Sequence, residues 1–286
     1  MKAIIIINPK SGVGKQLPVR TMRDMLVGFD ITLHPTEYAG HAAEIARQAV
    51  GRQIEAVIAI GGDGTINEVA GELTGTAAVL GIVPAGSGNG LARHLHIPLN
   101  ANAALQLIAR KKITEIDYGI INEHKFFCTC GMGYDAEVSE KVRRQTHRGK
   151  WMYARTIWQT LGNYRPEHYR ITAGETVYET AAFAVTCANA SQYGNNAYIA
   201  PYADVRDGLL NTVVIKPLKK REIPVAIIRL FTKKLHRQPE FMEIVAPKLS
   251  IERENAGPIH IDGDAIEEGK IVHIEVVSRG LKIFGI

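Results

Sequence analysis

The sequence predicts an α/β amino-terminal domain built on a parallel, nucleotide-binding sheet, followed by a carboxy-terminal antiparallel β-sandwich domain. Over the first hundred or so residues, continuous apolar runs alternate with helical patterns, as parallel strands covered on both faces do. Glycine-rich turns close several of these runs, at the strand ends where such sheets bind ligands. Past Asp117 the texture changes to short alternating strands, the mark of an antiparallel region.

The strand-like runs of the first half are Ala3–Ile7, Ile31–Thr36, Ala56–Ile60 and Val79–Val83. Helical patterns lie at Val19–Gly28, Gly40–Val50, Ile66–Leu73, Leu91–His94 and Ala101–Lys111, with Asn100 the expected N-cap of the last. In the second half the strands are Lys125–Thr129, Tyr169–Ala173, Thr176–Thr180, Phe183–Ala188, Leu210–Ile215, Glu243–Val245, Leu249–Glu252, Ile259–Ile261 and Ile271–Val277. Two helical segments interrupt them, Asp135–Tyr164, broken near Gly149, and Lys220–Leu235. The boundary falls near residue 120. It gives domains of residues 1–120 and 121–279, with 280–286 a candidate return to the first.

Of 286 residues, 46% are hydrophobic and 22% charged, the balance of a soluble globular protein. No apolar run reaches the roughly 18 residues that a bilayer span needs. The apolar start breaks at Pro9, too early for a signal peptide, so a cytoplasmic location is expected. Three cysteines make no disulfide framework. Cys128 and Cys130, with His124 upstream, read as buried strand thiols rather than metal ligands. The net charge of +5 suits an anionic nucleotide or an anionic membrane surface.

The densest chemical signal is Gly61-Gly62-Asp63-Gly64-Thr65, placed after a buried run and before a helical pattern. Glycines let a bulky anion approach the backbone, and a helix start offers N–H groups to it. A lone carboxylate there has a use for its charge only in handling a metal ion or a proton. Three more polar turns close neighbouring strands: Asn8–Lys15, Thr36–His41 and Pro84–Gly90. The first is not a Walker A loop, which requires glycine at position 9 and Ser or Thr at 16, where Pro9 and Gln16 stand. The last lacks the third glycine of a dinucleotide fingerprint. Together the four turns fit a phosphate or ribose cradle at one sheet edge.

In combination, Asn8-Pro9-x-Ser11-Gly12, Gly61-Gly62-Asp63-Gly64-Thr65-x-Asn67-Glu68 and Pro84-x-Gly86-Ser87-x-Asn89 resemble the diacylglycerol kinase catalytic-domain superfamily. That group includes bacterial lipid kinases, sphingosine kinases and ceramide kinases. The likeness runs on through Asp207-Gly208 to Ile261-Asp262-Gly263-Asp264. It implies ATP-dependent phosphorylation of a lipid hydroxyl, assisted by Mg2+. It further implies ATP contacts at Asn8, Thr36, Gly62, Asp63, Gly64, Thr65, Glu68, Gly86, Ser87 and Gly88, with Arg143 and Lys150 as phosphate-binding bases. Asp63, Asp117 and Asp264 are the implied catalytic acids, either Asp63 or Asp117 taking the substrate's proton. Asp204, Asp207 and Leu209 are implied to form a structural magnesium site, partly through backbone oxygens.

Two departures from the family pattern stand out: Asn89-Gly90 where bacterial diacylglycerol kinases usually carry Asn-Asp, and Asp264 where the family usually has the longer Glu after Asp-Gly. Gly133-Tyr134-Asp135-Ala136-Glu137 is similar to the sphingosine kinase version. The likeness implies that Asp135 or Glu137 holds an amino-alcohol head group. A sphingoid long-chain base is therefore the leading expected acceptor, with diacylglycerol the alternative. A soluble-acceptor kinase of the NAD kinase type and a catalytically silent lipid or nucleotide sensor rank below both. The expected partner is the membrane lipid, met by transient contact of a peripherally associated enzyme with the membrane surface. Lys111-Lys112, Lys219-Lys220-Arg221 and Lys233-Lys234 are candidates for that contact. Trp151, Met152, Tyr153, Ile157, Trp158 and Leu161 are offered as lipid-pocket lining or as core. A homodimer is an admissible assembly, and no nucleic-acid partner is expected.

Overall fold

The computed structural model describes residues 1–12, 18–144 and 150–285, with the backbone alone for 150–154 and 163. The chain forms two compact units, Met1–Asp117 with Ser278–Ile286, and Tyr118–Val277. Among the described residues no helix is long and apolar enough to cross a membrane.

The first unit alternates β1 (Lys2–Ile7), α1 (Val19–Met25), β2 (Asp30–Pro35), α2 (His41–Gly51), β3 (Ala56–Gly61), α3 (Asp63–Leu73) and β4 (Val79–Pro84). It continues with α4 (Gly90–His94), α5 (Ala101–Ala109) and β5 (Ile113–Ile121), whose last residues belong to the second unit. Four strands pair in parallel in the order β2-β1-β3-β4. Every residue of β3 and β4 is buried, which is why these runs are apolar without alternation. The register is level: Ile7 pairs with Pro35 and with Ile60, and Gly61 pairs with Pro84. All four carboxyl ends therefore finish at one rim. Beneath it, α2 buries Ala42, Ile45, Ala46 and Ala49 while α3 buries Ile66, Val69, Ala70 and Leu73, a helical stripe in each case. Asn100 caps α5, its Oδ1 accepting the Ala103 N–H at 3.1 Å.

The second unit contains β6 (His124–Phe126), β7 (Thr129–Gly133), α6 (Tyr134–Arg143), α7 (Lys150–Asn163), β8 (Glu167–Ala173), β9 (Thr176–Ala182), β10 (Ala184–Ala188) and β11 (Leu210–Ile215). There follow α8 (Ile223–Phe231), β12 (Phe241–Ala246), β13 (Lys248–Arg253), β14 (Gly257–Ile261), β15 (Asp264–Glu268) and β16 (Ile271–Phe284). One antiparallel sheet runs β12-β11-β10-β7-β14-β15, and a second antiparallel set runs β16-β13-β8-β9. Their apolar positions meet: Met132, Val185, Leu210, Val214 and Ile259 share one core with Ile171, Leu249, Ile251, Val272 and Ile274. Past Val277, β16 belongs to the first unit, where Ile283 pairs in parallel with Leu80 of β4.

β5 is not among the strands expected from the sequence, and two further differences trace to Asp262. The expected Lys125–Thr129 strand is divided into β6 and β7, because the Asp262 carboxylate accepts the N–H groups of Phe127, Cys128 and Thr129 at 2.8, 2.7 and 2.8 Å. Three consecutive amides turned toward one carboxylate cannot alternate across a ladder. β15, unanticipated, pairs with β14 through the two-residue turn Asp262-Gly263, both at positive φ (49° and 93°). That is the Asp-Gly hairpin signal of a type I′ turn. Cys128 thus lies outside the strand that holds Cys130. Cys130 stands opposite Cys187 across β7 and β10, and burial beside that second thiol pushes the Cys130 thiol up.

Replacing Asp262 by Ala leaves three neighbouring amides without their acceptor. The expected loss is about 3 kcal/mol or more of unfolding free energy, read by urea denaturation, with Asp262→Asn losing less.

Candidate active site

The four polar turns emerge where the sequence places them, at the level carboxyl ends of β1 to β4, and their side chains tie them together. Asn8, after β1, donates from Nδ2 to the Thr65 hydroxyl at 3.2 Å while its Oδ1 accepts the Lys10 N–H. Thr36, after β2, is buried, and its N–H donates to the Ile7 carbonyl at 2.8 Å. Residues 13–15 of the first turn, Lys15 among them, lie outside the described residues.

The turns after β3 and β4 touch backbone to backbone. A Cβ on Gly86 would stand 2.6 Å from the Gly62 Cα, and one on Gly88 would stand 2.7 Å from Asp63 Oδ2. Asp63 bridges the two turns: its Oδ2 accepts the Asn89 N–H at 2.8 Å and its Oδ1 the Gly90 N–H at 2.7 Å. The same carboxylate opens α3 and faces the first turn of α4, both favourable places for negative charge. Burial outweighs these bonds and the nearby Arg93, so the Asp63 pKa is raised above its ordinary 3.8. Asn89 sits at φ 53°, and its side chain closes on Gly86, accepting the Gly86 N–H at 3.0 Å and donating to its carbonyl at 2.8 Å. Arg93 Nε donates to the Gly88 carbonyl at 3.0 Å.

Gly64 differs from these glycines. It is exposed, and a Cβ there would meet nothing within 4 Å. Ser87, at the tip of the neighbouring turn, is likewise exposed. The rim therefore presents the start of α3 as open N–H-bearing backbone beside one carboxylate. Glu68, expected at the nucleotide, instead caps a helix. Its Oε1 and Oε2 accept the Gly40 and Ala42 N–H groups at 3.0 and 3.1 Å, where α2 has no side-chain cap of its own. Asp117 is fully buried and accepts the Arg279 N–H at 2.7 Å, fixing the returning end of β16.

The second unit holds a separate polar cluster. Asp135 opens α6, and its Oδ2 accepts hydrogen bonds from the Thr186 hydroxyl at 2.8 Å and the Tyr193 hydroxyl at 2.9 Å. His260 Nε2 lies 3.0 Å from the same oxygen, and the ionised carboxylate assigns the proton to that nitrogen. His260 Nδ1 is then a buried acceptor without a partner among the described residues. Among the described residues Asp135 Oδ1 accepts its own neighbour's amide alone, at Ala136, and 18% of the Asp135 side chain remains exposed. Glu137 pairs with Lys141 at 3.1 Å on the exposed face of α6.

Both halves of the chain match known family models. Residues 2–121 match the diacylglycerol kinase catalytic domain, and residues 128–285 match the YegS C-terminal NAD kinase beta sandwich-like domain. The chain belongs to the family of that carboxy-terminal domain, which spans more than half of it, and carries a diacylglycerol kinase catalytic domain ahead of it. A protein of Chromohalobacter salexigens named "Probable lipid kinase YegS-like" is 28% identical over 268 residues, covering 91% of this chain and 86% of that protein. One named "Diacylglycerol kinase" from Bacillus subtilis is 28% identical over 278 residues, covering 92% and 89%. A crystal structure of a diacylglycerol kinase from Bacillus anthracis shares the fold with a TM-score of 0.75 at 21% identity, covering 100% of this chain and 97% of that one. The fold also resembles an NAD kinase from Archaeoglobus fulgidus solved with ATP, at a TM-score of 0.57 and 12% identity, covering 99% and 93%.

Other positions implied by the diacylglycerol kinase likeness are placed less centrally. Asp204 pairs with Arg206 at 3.1 Å, and Asp207 folds back to accept the Leu209 N–H at 2.9 Å. Among the described residues no three His, Cys, Asp or Glu side chains converge as metal ligands. Asp264 is exposed at the start of β15, and Arg143 is exposed on the last turn of α6. The side chains of Lys150, Trp151, Met152 and Tyr153 lie outside the described residues. Elsewhere on α7, Trp158 is exposed, whereas Thr156 and Thr160 are buried and line a cavity of about 270 Å³ with Lys141, Arg144 and Gln159. Sequence reasoning gave no role to Arg93, Asp262, Thr186, Tyr193 or His260. The Asp-Gly dipeptide was a usable signal for Asp262; the others are joined only by the fold.

Glu68→Ala removes both acceptors from the first turn of α2. It is expected to cost about 1–2 kcal/mol of stability, measured by thermal unfolding in the absence of nucleotide.

Proposed function

We propose that the protein transfers the γ-phosphoryl group of ATP to the hydroxyl of a membrane lipid. Gly64 carries this reading. Packing accounts for glycine at 62, 86 and 88, but no atom of the described residues requires it at 64, in the first turn of a helix where Ala is the better former. A ligand that must approach the backbone closely does require it. A triphosphate on the N–H groups at the start of α3 is such a ligand, and Ser87 stands exposed to meet it. Mg2+ bound with a nucleotide commonly uses one or two carboxylates plus phosphate oxygens. Asp63, both of whose oxygens already accept amides, would hold the ion through its water shell, and the ion would supply neutralisation of phosphate charge.

In the transfer, the acceptor oxygen bonds to the γ-phosphorus as the bond to the ADP oxygen breaks, and the hydroxyl proton goes to a carboxylate. Asp63 suits that part better than Asp117. It is partly exposed at the rim, whereas Asp117 is fully buried against the Arg279 amide. Only the ionised form takes a proton, and burial raises the Asp63 pKa. Turnover should therefore rise with pH through a value above 3.8. In that same window folding stability falls, because the folded state binds the proton more tightly than the unfolded chain does.

For the acceptor, the internal partners of Asp135 and Glu137 support a neutral hydroxyl, and diacylglycerol is the first reading. The names of the Bacillus and Staphylococcus relatives agree with it. A sphingoid long-chain base is the second, favoured by the partial exposure of Asp135 and the light use of its Oδ1. Labelled ATP incubated with the pure protein and a total lipid extract should yield phosphatidic acid by mass. A long-chain-base phosphate, lost in Asp135→Asn, would transfer the assignment to the second reading. Appearance of neither lipid product, with NAD phosphorylated instead, would sink both.

Gly64→Ala is expected to raise the KM for ATP at least about tenfold, with a melting temperature equal to or above wild type. Asp63→Asn is expected to lose at least about a hundredfold in kcat. Wild-type kinetics in both variants would remove the rim from the reaction.

A further inference from the structure

α8 has an apolar side that the fold leaves uncovered. Ile223 and Ala226 are buried, and Leu230 packs against the cluster of Ile199, Val213 and Ile215. The opposite side carries Val225, Ile228 and Phe231, exposed to 45%, 62% and 50%. Helical periodicity puts these three in one stripe and the packed residues on the reverse. A helix apolar on all sides normally belongs inside a core, and large side chains gathered at one spot on a surface mark a contact.

The charges around the stripe identify what it contacts. Lys219, Lys220 and Arg221 precede the helix and Lys233 and Lys234 follow it, all exposed. Glu222 is the sole acid between Lys219 and Lys234, and its carboxylate accepts the Lys219 N–H at 2.8 Å. Apolar residues flanked at both ends by cations match the layering of an anionic bilayer, with acyl chains beneath phosphate head groups. A protein partner of ordinary composition offers no such uniform negative border.

We propose that α8 is the membrane-docking element: it lies in the head-group layer with Val225, Ile228 and Phe231 inserted among acyl chains and the two basic clusters on anionic phosphates. The helix is too short to span, so the contact is reversible and weakens with salt. Docking through α8 needs no phosphoryl transfer and is measured without ATP.

Purified full-length protein is sedimented with vesicles of phosphatidylcholine alone or mixed with phosphatidylglycerol. Wild type is expected to bind the mixed vesicles, more weakly at high salt, and to bind pure phosphatidylcholine poorly. Ile228→Asp with Phe231→Asp should lower affinity for mixed vesicles about tenfold or more. Lys219→Gln, Lys220→Gln and Arg221→Gln together should lower it and flatten the salt dependence. All the substituted side chains are exposed, and unchanged thermal unfolding verifies the fold. The proposal is overturned by failure of wild type to bind, or by wild-type affinity in the double aspartate variant. It is equally overturned if sedimentation equilibrium shows a wild-type dimer that the double variant splits, which assigns the stripe to a second copy of the chain.

Discussion

The candidate site depends on one contact between two glycine turns. Gly62 and Gly86 approach so closely that a Cβ on Gly86 would clash with the Gly62 Cα and one on Gly62 would crowd Gly86, and Asp63 then spans the gap to the Asn89 and Gly90 amides. Without the close approach the carboxylate would not reach; without the carboxylate two amides at the start of α4 would lose their acceptor. A parallel sheet with level strand ends makes the meeting possible, because β3 and β4 finish at Gly61 and Pro84 on the same register. The rim is thus an outcome of sheet pairing, glycine and a single buried charge, with each part needed by the other two.

Asp63 consequently has structural and chemical parts that oppose each other electrostatically. Its amide bonds favour the ionised form, yet burial disfavours it more strongly. A carboxylate held in that balance is firmly oriented and more basic than one in water. Both properties suit a proton acceptor beside a bound phosphate. Other carboxylates hold the architecture together. Glu68 supplies the cap that α2 lacks, Asp117 anchors the returning strand, and Asp262 gathers three amides.

That division explains how far the sequence could be read. Parallel strands and the helices between them were legible because burial on both faces writes unbroken apolar runs, as in β3 and β4. The glycine turns were legible because glycine has few competing reasons to cluster. Carboxylates were harder, since the same residue caps a helix, pairs a lysine or takes a proton according to neighbours distant in sequence. Glu68 meets Gly40 and Ala42, and Asp135 meets Thr186, Tyr193 and His260; no local pattern announces either meeting. β15 was missed for a different reason. Its Asp-Ala-Ile-Glu-Glu stretch has little apolar alternation, and only the Asp262-Gly263 turn declares the hairpin.

α8 shows the converse, where apolar character alone misleads. Its sequence between the basic clusters looks like a core helix, and one side of it is core. What separates a buried helix from a surface one is the unoccupied side, which periodicity cannot reveal when both sides are apolar. The second unit buries its hydrophobic surface between two sheets and needs no further cover there. An apolar stripe retained outside that core therefore lacks a folding rationale. The proposed bilayer contact accounts for its place beside five exposed cations: a short two-sided helix can join an interface without leaving the fold.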